Sequence, residues 1–264
     1  MFVLDPSLPF GQKDLDQDKS KWGKPKKLEA FKAKFSDDQM PVVANIPTRT
    51  LRVIRMLVVA MVESAPGAGG TLEDGISLLW QHPQVRLEVR QLLEVLATQL
   101  THLPIALATH SDVPLQVHAQ YTRLEILVAF GLGNGLKTPP WREGVYWAAD
   151  AKADLMAFTL DKSSGNFSPT TRYRDYAISP SLIHWESQAN TRAKSEVGQR
   201  YQQHVARGSS ILLFARKTTD DRAFFFLGPA TYVKHESEAP MAITWRLRSE
   251  LPGDVYADFA AAAG

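Results

Sequence analysis

The feature that most constrains this chain is a change of periodicity near Pro114, from a helical repeat before it to short extended runs after it. From Arg49 to His110 apolar residues recur every three or four positions. Thr50–Glu63 places Leu51, Ile54, Leu57, Val58 and Met61 on one face, with Arg49, Arg52 and Arg55 clustered at its start. Ala65-Pro66-Gly67-Ala68-Gly69-Gly70 breaks that pattern, and Thr71 stands where it can cap a second helix, with Asp74 three residues on. The segment from Gln84 to Leu100, bracketed by Pro83 and Pro104, is the strongest helical pattern and predicts Val85, Val89, Leu92, Leu93 and Leu96 facing inward. Residues 48–112 are therefore expected to form a small helical bundle.

Beyond Pro114, Thr122-Arg-Leu-Glu125 is a capping box that opens a helix through Phe130, ended by Gly131 to Gly135. Six extended runs follow: Val145–Trp147, Leu155–Leu160, Leu182–Glu186, Ile211–Ala215, Phe224–Leu227 and Ala242–Leu247. Gly198–Ala206 reads as a helix among them, and Asp254–Ala262 as a closing one. Short strands with few helices predict an α+β chain in which the bundle is followed by a small curled β-barrel over residues 113–264. Residues 1–47 read as a polar tail, because eight lysines mix with seven acids and five prolines. One short amphipathic stretch, Leu28–Phe35, lies within it, and part of the tail is expected to be disordered or held by a neighbouring domain.

Several function classes lack their chemistry. The chain has no cysteine, which excludes disulfides and thiolate metal sites. The start has no secretory pattern, and the longest apolar stretch, Met56 to Val62, is far short of the roughly 20 residues of a spanning helix. A cytoplasmic protein with no membrane contact is expected. Gly67-Ala-Gly-Gly-Thr71 lacks the spacing and the lysine of a phosphate-cradling loop, and there is no Gly-x-Ser-x-Gly elbow or His-Glu-x-x-His pair. With neither ATPase nor nuclease motifs, the expectation is a non-enzymatic module needing no cofactor and no metal. The nearest approach to a hydrolytic centre is Glu143 with Asp150-Ala-Lys152, a triplet that a charged hairpin also produces by chance.

Charge is unevenly spread. Between Ser163 and Lys217 eight basic residues face three acids, whereas the rest of the chain carries 22 basic and 25 acidic residues. A local positive field suits a polyanion, although a solvated basic surface has the same composition. Within this stretch, Phe167 to Gln188 interleaves Tyr173, Tyr176 and Trp185 with Arg172, Arg174, Asp175, Ser187 and Gln188. Reading an extruded base takes this set: flat rings to stack, an acceptor for an exocyclic amine, and donors for the ring edge. An aromatic-rich β core uses the same residues for packing.

The segments Pro114 to Leu127, Trp141 to Trp147, Leu160 to Lys162, Phe167 to Gln188, Gly198 to Tyr201, Leu212 to Arg216, Phe226 to Val233 and Pro240 to Leu247 resemble, in order, one family. It is the uncharacterised domain at the C-terminus of many bacterial superfamily-two helicases, some of which carry a nuclease domain and act as modification-dependent restriction enzymes. The resemblance implies a fold similar to the SET-and-RING-associated, PUA-like barrel that flips 5-methylcytosine into a pocket. It further implies that Asp175 accepts from the cytosine amine, that Tyr173, Tyr176 or Trp185 sandwiches the ring, and that His184, Ser187 and Gln188 meet its edge. Arg172, Arg174, Arg192, Lys194 and Arg200 would hold phosphates. The helicase and nuclease domains themselves are absent from this sequence.

The expected function is that of a DNA-binding module reading a modified cytosine in double-stranded DNA, with helicase or nuclease domains supplied in cis or in trans. The competing expectation is a protein-interaction module that docks such a domain without touching nucleic acid, with Phe224-Phe-Phe-Leu227 as its association surface if exposed.

Overall fold

The computed structural model describes residues 43–62, 70–99, 102–161 and 175–262. Almost all of the polar tail, together with Arg172, Tyr173 and Arg174, lies outside the described residues.

The N-terminal helices form where the apolar period and caps place them. Helix α1 spans Thr48–Val62, α2 Leu72–Gln81 and α3 Pro83–Thr98. Thr71 and Asp74 close a reciprocal capping box at the start of α2, with Thr71 N donating to Asp74 Oδ2 at 2.8 Å and Asp74 N to Thr71 Oγ1 at 3.1 Å. Helices α1 and α2 meet around Val58, Leu72 and Ile76. Gly75 permits the approach, since a Cβ there would stand 2.4 Å from Val58 Cγ1.

The rest of the chain builds a sheet with helices on both faces. Strands β1 (Ile105–Ala106), β2 (Gln116–Val117) and β3 (Gln120–Tyr121) precede helix α4 (Arg123–Ala129). Then come β4 (Val145–Ala148), β5 (Ala153–Thr159), β6 (Tyr176–Ser179) and β7 (Leu182–Glu186), helix α5 (Glu196–Gln203), β8 (Ser210–Arg216), β9 (Phe224–Glu236), β10 (Ala242–Leu247) and helix α6 (Gly253–Ala262). Eight strands form one sheet in the order β4-β5-β8-β9-β10-β7-β6, with β3 pairing β9 beside that path. The pairing of β5 with β8 is parallel and the other pairings are antiparallel. Alternate residues of β8 and β9 feed two cores. Ile211, Leu213, Phe225 and Leu227 join Trp185, Trp245, Tyr201 of α5 and Phe259 of α6. Leu212, Phe214, Phe224 and Phe226 join Ile126 and Leu127 of α4 on the opposite face.

This architecture corrects the expected helical bundle followed by a small PUA-like barrel. The sheet is open, running from β4 to β6 without closing on itself. The physical reason is in the central strands: all seven residues of β5 and the five from Ile211 to Ala215 in β8 are buried. A strand apolar on both faces needs cover on both faces, which helices supply and a small solvated barrel does not. The helices ahead of it are no self-contained bundle either. Helix α1 packs on α4 of the sheet region, where Met56 joins the same core as Leu127. Helix α3 buries none of its residues, and Val85, Leu92, Leu93 and Leu96, expected to face inward, are exposed.

Candidate functional site

The candidate site is assembled on the β6–β7 hairpin. Tyr176 pairs with His184 across it, and Pro180 and Ser181 form its turn. The chain therefore enters at Asp175 and leaves through Ser187, Gln188, Arg192 and Lys194 at the end opposite the turn. Side chains alternate across a strand. His184 and Tyr176 consequently share the outer face, where their rings stack at 4.7 Å and 24°. Tyr176 is 36% exposed, and the His184 Nε2 lies 3.9 Å from Glu186 Oε1. Arg192 and Lys194 are exposed on the loop into α5. Gln188 also reaches this end, where its Nε2 donates to Glu143 Oε2.

Other residues expected in the pocket serve the fold. Trp185, one position along from His184, points inward; it is 3% exposed and packs edge-on to Tyr201 with centroids 5.9 Å apart. Its ring has no open side on which to sandwich a base. Asp175 is 4% exposed, and its Oδ1 accepts from the Glu186 amide at 2.9 Å, which closes the mouth of the hairpin. Ser187 is fully buried and bridges to β10: its Oγ accepts from Met241 N at 2.9 Å and donates to the Gln188 carbonyl at 3.2 Å. Arg200 is engaged by Asp154, Nε to Oδ2 and Nη2 to Oδ1, both at 2.8 Å, and its guanidinium covers the Trp147 ring at 4.3 Å. That pairing holds the Arg200 proton more tightly than usual and takes the side chain out of reach of a phosphate. Arg172, Tyr173 and Arg174 lie outside the described residues.

Two alternatives that the sequence left open find no support among the described residues. Glu143 and Asp150 flank opposite ends of β4, with its four extended residues between them. Among the described residues no group of three or more histidine or acidic side chains could hold a metal ion. The Phe224-Phe-Phe-Leu227 run is buried throughout and offers no association surface.

A groove that the sequence did not announce lies across the sheet, between the segment after α3, the β2–β3 turn, the β8–β9 connection and α6. It encloses about 740 Å³ and is lined in part by His102, His118, Lys217, Phe225, Asp254 and Asp258. His118 occupies a left-handed conformation, φ 71°, rare for a residue with a side chain. Hydrogen bonds with β9 hold it there: His118 N donates to the Phe226 carbonyl at 2.8 Å, and Phe226 N to the Ala119 carbonyl at 2.9 Å. The conformation lays the His118 ring parallel to Phe225, 5.8 Å away. Opposite it, His102 Nε2 reaches both oxygens of Asp254 at 2.8 and 2.9 Å, and this hydrogen bond holds the Asp254 carboxyl below the usual range. Lys217 pairs with Asp258 at 3.2 Å. These residues come from four distant segments, so no local pattern marked them.

Among the described residues no helix is long and apolar enough to cross a membrane. The chain matches no curated protein. Residues 115–259, more than half of its length, match the domain of unknown function DUF3427, and the chain belongs to that family.

Proposed function

We propose that the chain is a nucleic-acid-binding accessory module whose contact surface is the open end of the β6–β7 hairpin. The observation that supports this reading is the Tyr176–His184 stack, with Tyr176 exposed and His184 half-buried, which stands at the same hairpin end as the exposed Arg192 and Lys194. Flat rings receive unstacked bases, worth on the order of 1–3 kcal/mol each, and neighbouring cations hold the phosphates on either side. Arg172, Tyr173 and Arg174 directly precede Asp175 in sequence but lie outside the described residues. In this reading the ligand is double-stranded DNA carrying a modified cytosine, and the module serves helicase or nuclease domains supplied in cis or in trans, as the sequence resemblance implies. With Trp185 and Asp175 committed to packing, recognition of the base falls to Tyr176, His184 and Gln188.

The test is a fluorescence-anisotropy titration of the full chain with duplexes bearing methylated, hydroxymethylated and unmodified cytosine. The reading expects saturable binding with a preference for one modified duplex, weakened by Tyr176→Ala. Absence of binding to all three removes it.

One observation favours a second reading. Leu92, Leu93, Val95 and Leu96 form an exposed apolar face on α3, and a face of this kind suits docking to a partner protein. A helicase or nuclease docked there, with no DNA contact by this chain, is what a failed duplex titration would leave standing.

A further inference from the structure

Separate from the hairpin, across β10 and β9 in the sheet, two arginines converge on one ring. The guanidinium carbons of Arg123 and Arg216 lie 5.4 and 4.8 Å from the centroid of Phe224. Their hydrogen bonds go to neutral acceptors. Arg123 Nη1 donates to the Trp141 carbonyl at 3.3 Å, while Arg216 donates through Nε to Thr159 Oγ1 at 2.9 Å and through Nη1 to the Asp221 carbonyl at 2.6 Å. Neither forms an ion pair with a carboxylate among the described residues. Nearby acids are otherwise engaged: Glu125 accepts from Thr122 N and Oγ1, and the Asp221 carboxylate accepts from Thr218 N and Oγ1. Burial, and for Arg123 the neighbouring Arg216, make both guanidinium charges harder to hold than usual, with Asp221 and Asp220 offsetting part of this for Arg216.

A cleft of about 190 Å³ opens at this pair, lined by Thr122, Arg123, Leu124, Arg216, Arg222 and Phe224. Arg216 and Arg222 also line the large groove, so the cleft is a side branch of it. Half-buried like charges held together with no carboxylate in salt-bridge contact are an arrangement that an anion stabilises, and the guanidinium N–H groups not already donating suit an oxyanion acceptor. We infer that this cleft seats a single phosphate group, with the adjoining groove receiving whatever that phosphate is attached to.

Isothermal titration of the full chain with inorganic phosphate tests the seat, and anisotropy with a single-stranded oligonucleotide, with and without its 5′-phosphate, identifies the source. The inference expects one-to-one phosphate binding that Arg216→Gln weakens at least fivefold. Arg222→Gln, an exposed position, gives the same direction of effect should Arg216→Gln fold poorly. A fivefold advantage for the 5′-phosphorylated oligonucleotide, lost in these variants, assigns the seat to a nucleic-acid end. Binding of inorganic phosphate without that advantage assigns it to a small phosphate compound. Absence of phosphate binding in the wild-type chain, or unchanged affinity in both variants, overturns the inference, and either result leaves duplex binding at the hairpin to be judged by its own titration.

Discussion

Arg200 on α5 grips the fully buried carboxylate of Asp154 on β5 with two hydrogen bonds of 2.8 Å. The pair ties a helix to a central strand, and its value lies in not being broken. Removing one partner of a buried pair leaves an uncompensated charge, at a cost of about 3–5 kcal/mol. Arg200→Met is therefore expected to lower the urea midpoint strongly, and the double variant Arg200→Met with Asp154→Leu to recover much of the loss. Equal losses in the single and double variants would show that the charge left behind is not the cause.

Two aromatic residues on opposite faces of the β6–β7 hairpin should respond in opposite ways. Trp185→Ala opens a cavity beside Trp245 and Tyr201, at a cost of about 3–5 kcal/mol in stability. Tyr176→Ala, at an exposed position, should change stability by less than about 0.5 kcal/mol while weakening DNA binding roughly five- to 150-fold. Thermal melts and anisotropy on the same two preparations check both halves. A stable Trp185→Ala protein that has lost binding would reverse the assignment of the two rings.

Arg192 and Lys194 should act through the phosphates. Each neutralised phosphate contributes about 0.9 to the slope of log affinity against log salt on duplex DNA. Arg192→Ala with Lys194→Ala is thus expected to flatten that slope by about 1.8, for modified and unmodified duplexes alike. An unchanged slope would place the phosphate contacts elsewhere.

Stability should fall on mild acidification. Burial holds the imidazoles of His110 and His118 below the usual histidine range; for His118 the neighbouring His102 adds to this, and a hydrogen bond with the Glu250 backbone partly opposes it. A base with a depressed folded pKa binds fewer protons folded than unfolded, so its contribution is complete above the unfolded value, about 6.5, and is lost as pH drops below it. The melting temperature should accordingly decline between about pH 7 and pH 5, and His110→Gln and His118→Gln should each make the decline shallower. A flat profile in both variants and the wild type would contradict this origin.

Much of the element inventory is legible in local patterns. Both capping boxes, Thr71–Asp74 and Thr122–Glu125, form as their spacing implies, and β7 and β10 have the predicted bounds. What the pattern did not settle is what covers each surface. Ile211–Ala215 and Phe224–Leu227 are unbroken apolar runs, the mark of strands covered on both faces, and such runs argue against a small barrel with a wet exterior. The stripe on α3 has the period of a packed helix, yet periodicity records only that a face is apolar, not what meets it.

The candidate site divides for the same reason. His184 and Trp185 are consecutive in a strand, so one ring must face out when the other faces in, and a pocket using both was excluded by the pleat. Asp175 and Ser187 resemble ligand-binding groups by type but are absorbed by the backbone, to Glu186 N and Met241 N. Arg123, Arg216 and the His102–His118 groove depend on long-range packing, and no spacing in the sequence brings them together.

Hydrogen exchange of the full chain, with and without saturating duplex DNA, tests most directly where nucleic acid sits. The account predicts added protection over β6, β7 and the loop carrying Arg192 and Lys194. Protection confined to other segments, or none at a concentration where anisotropy reports binding, would contradict it.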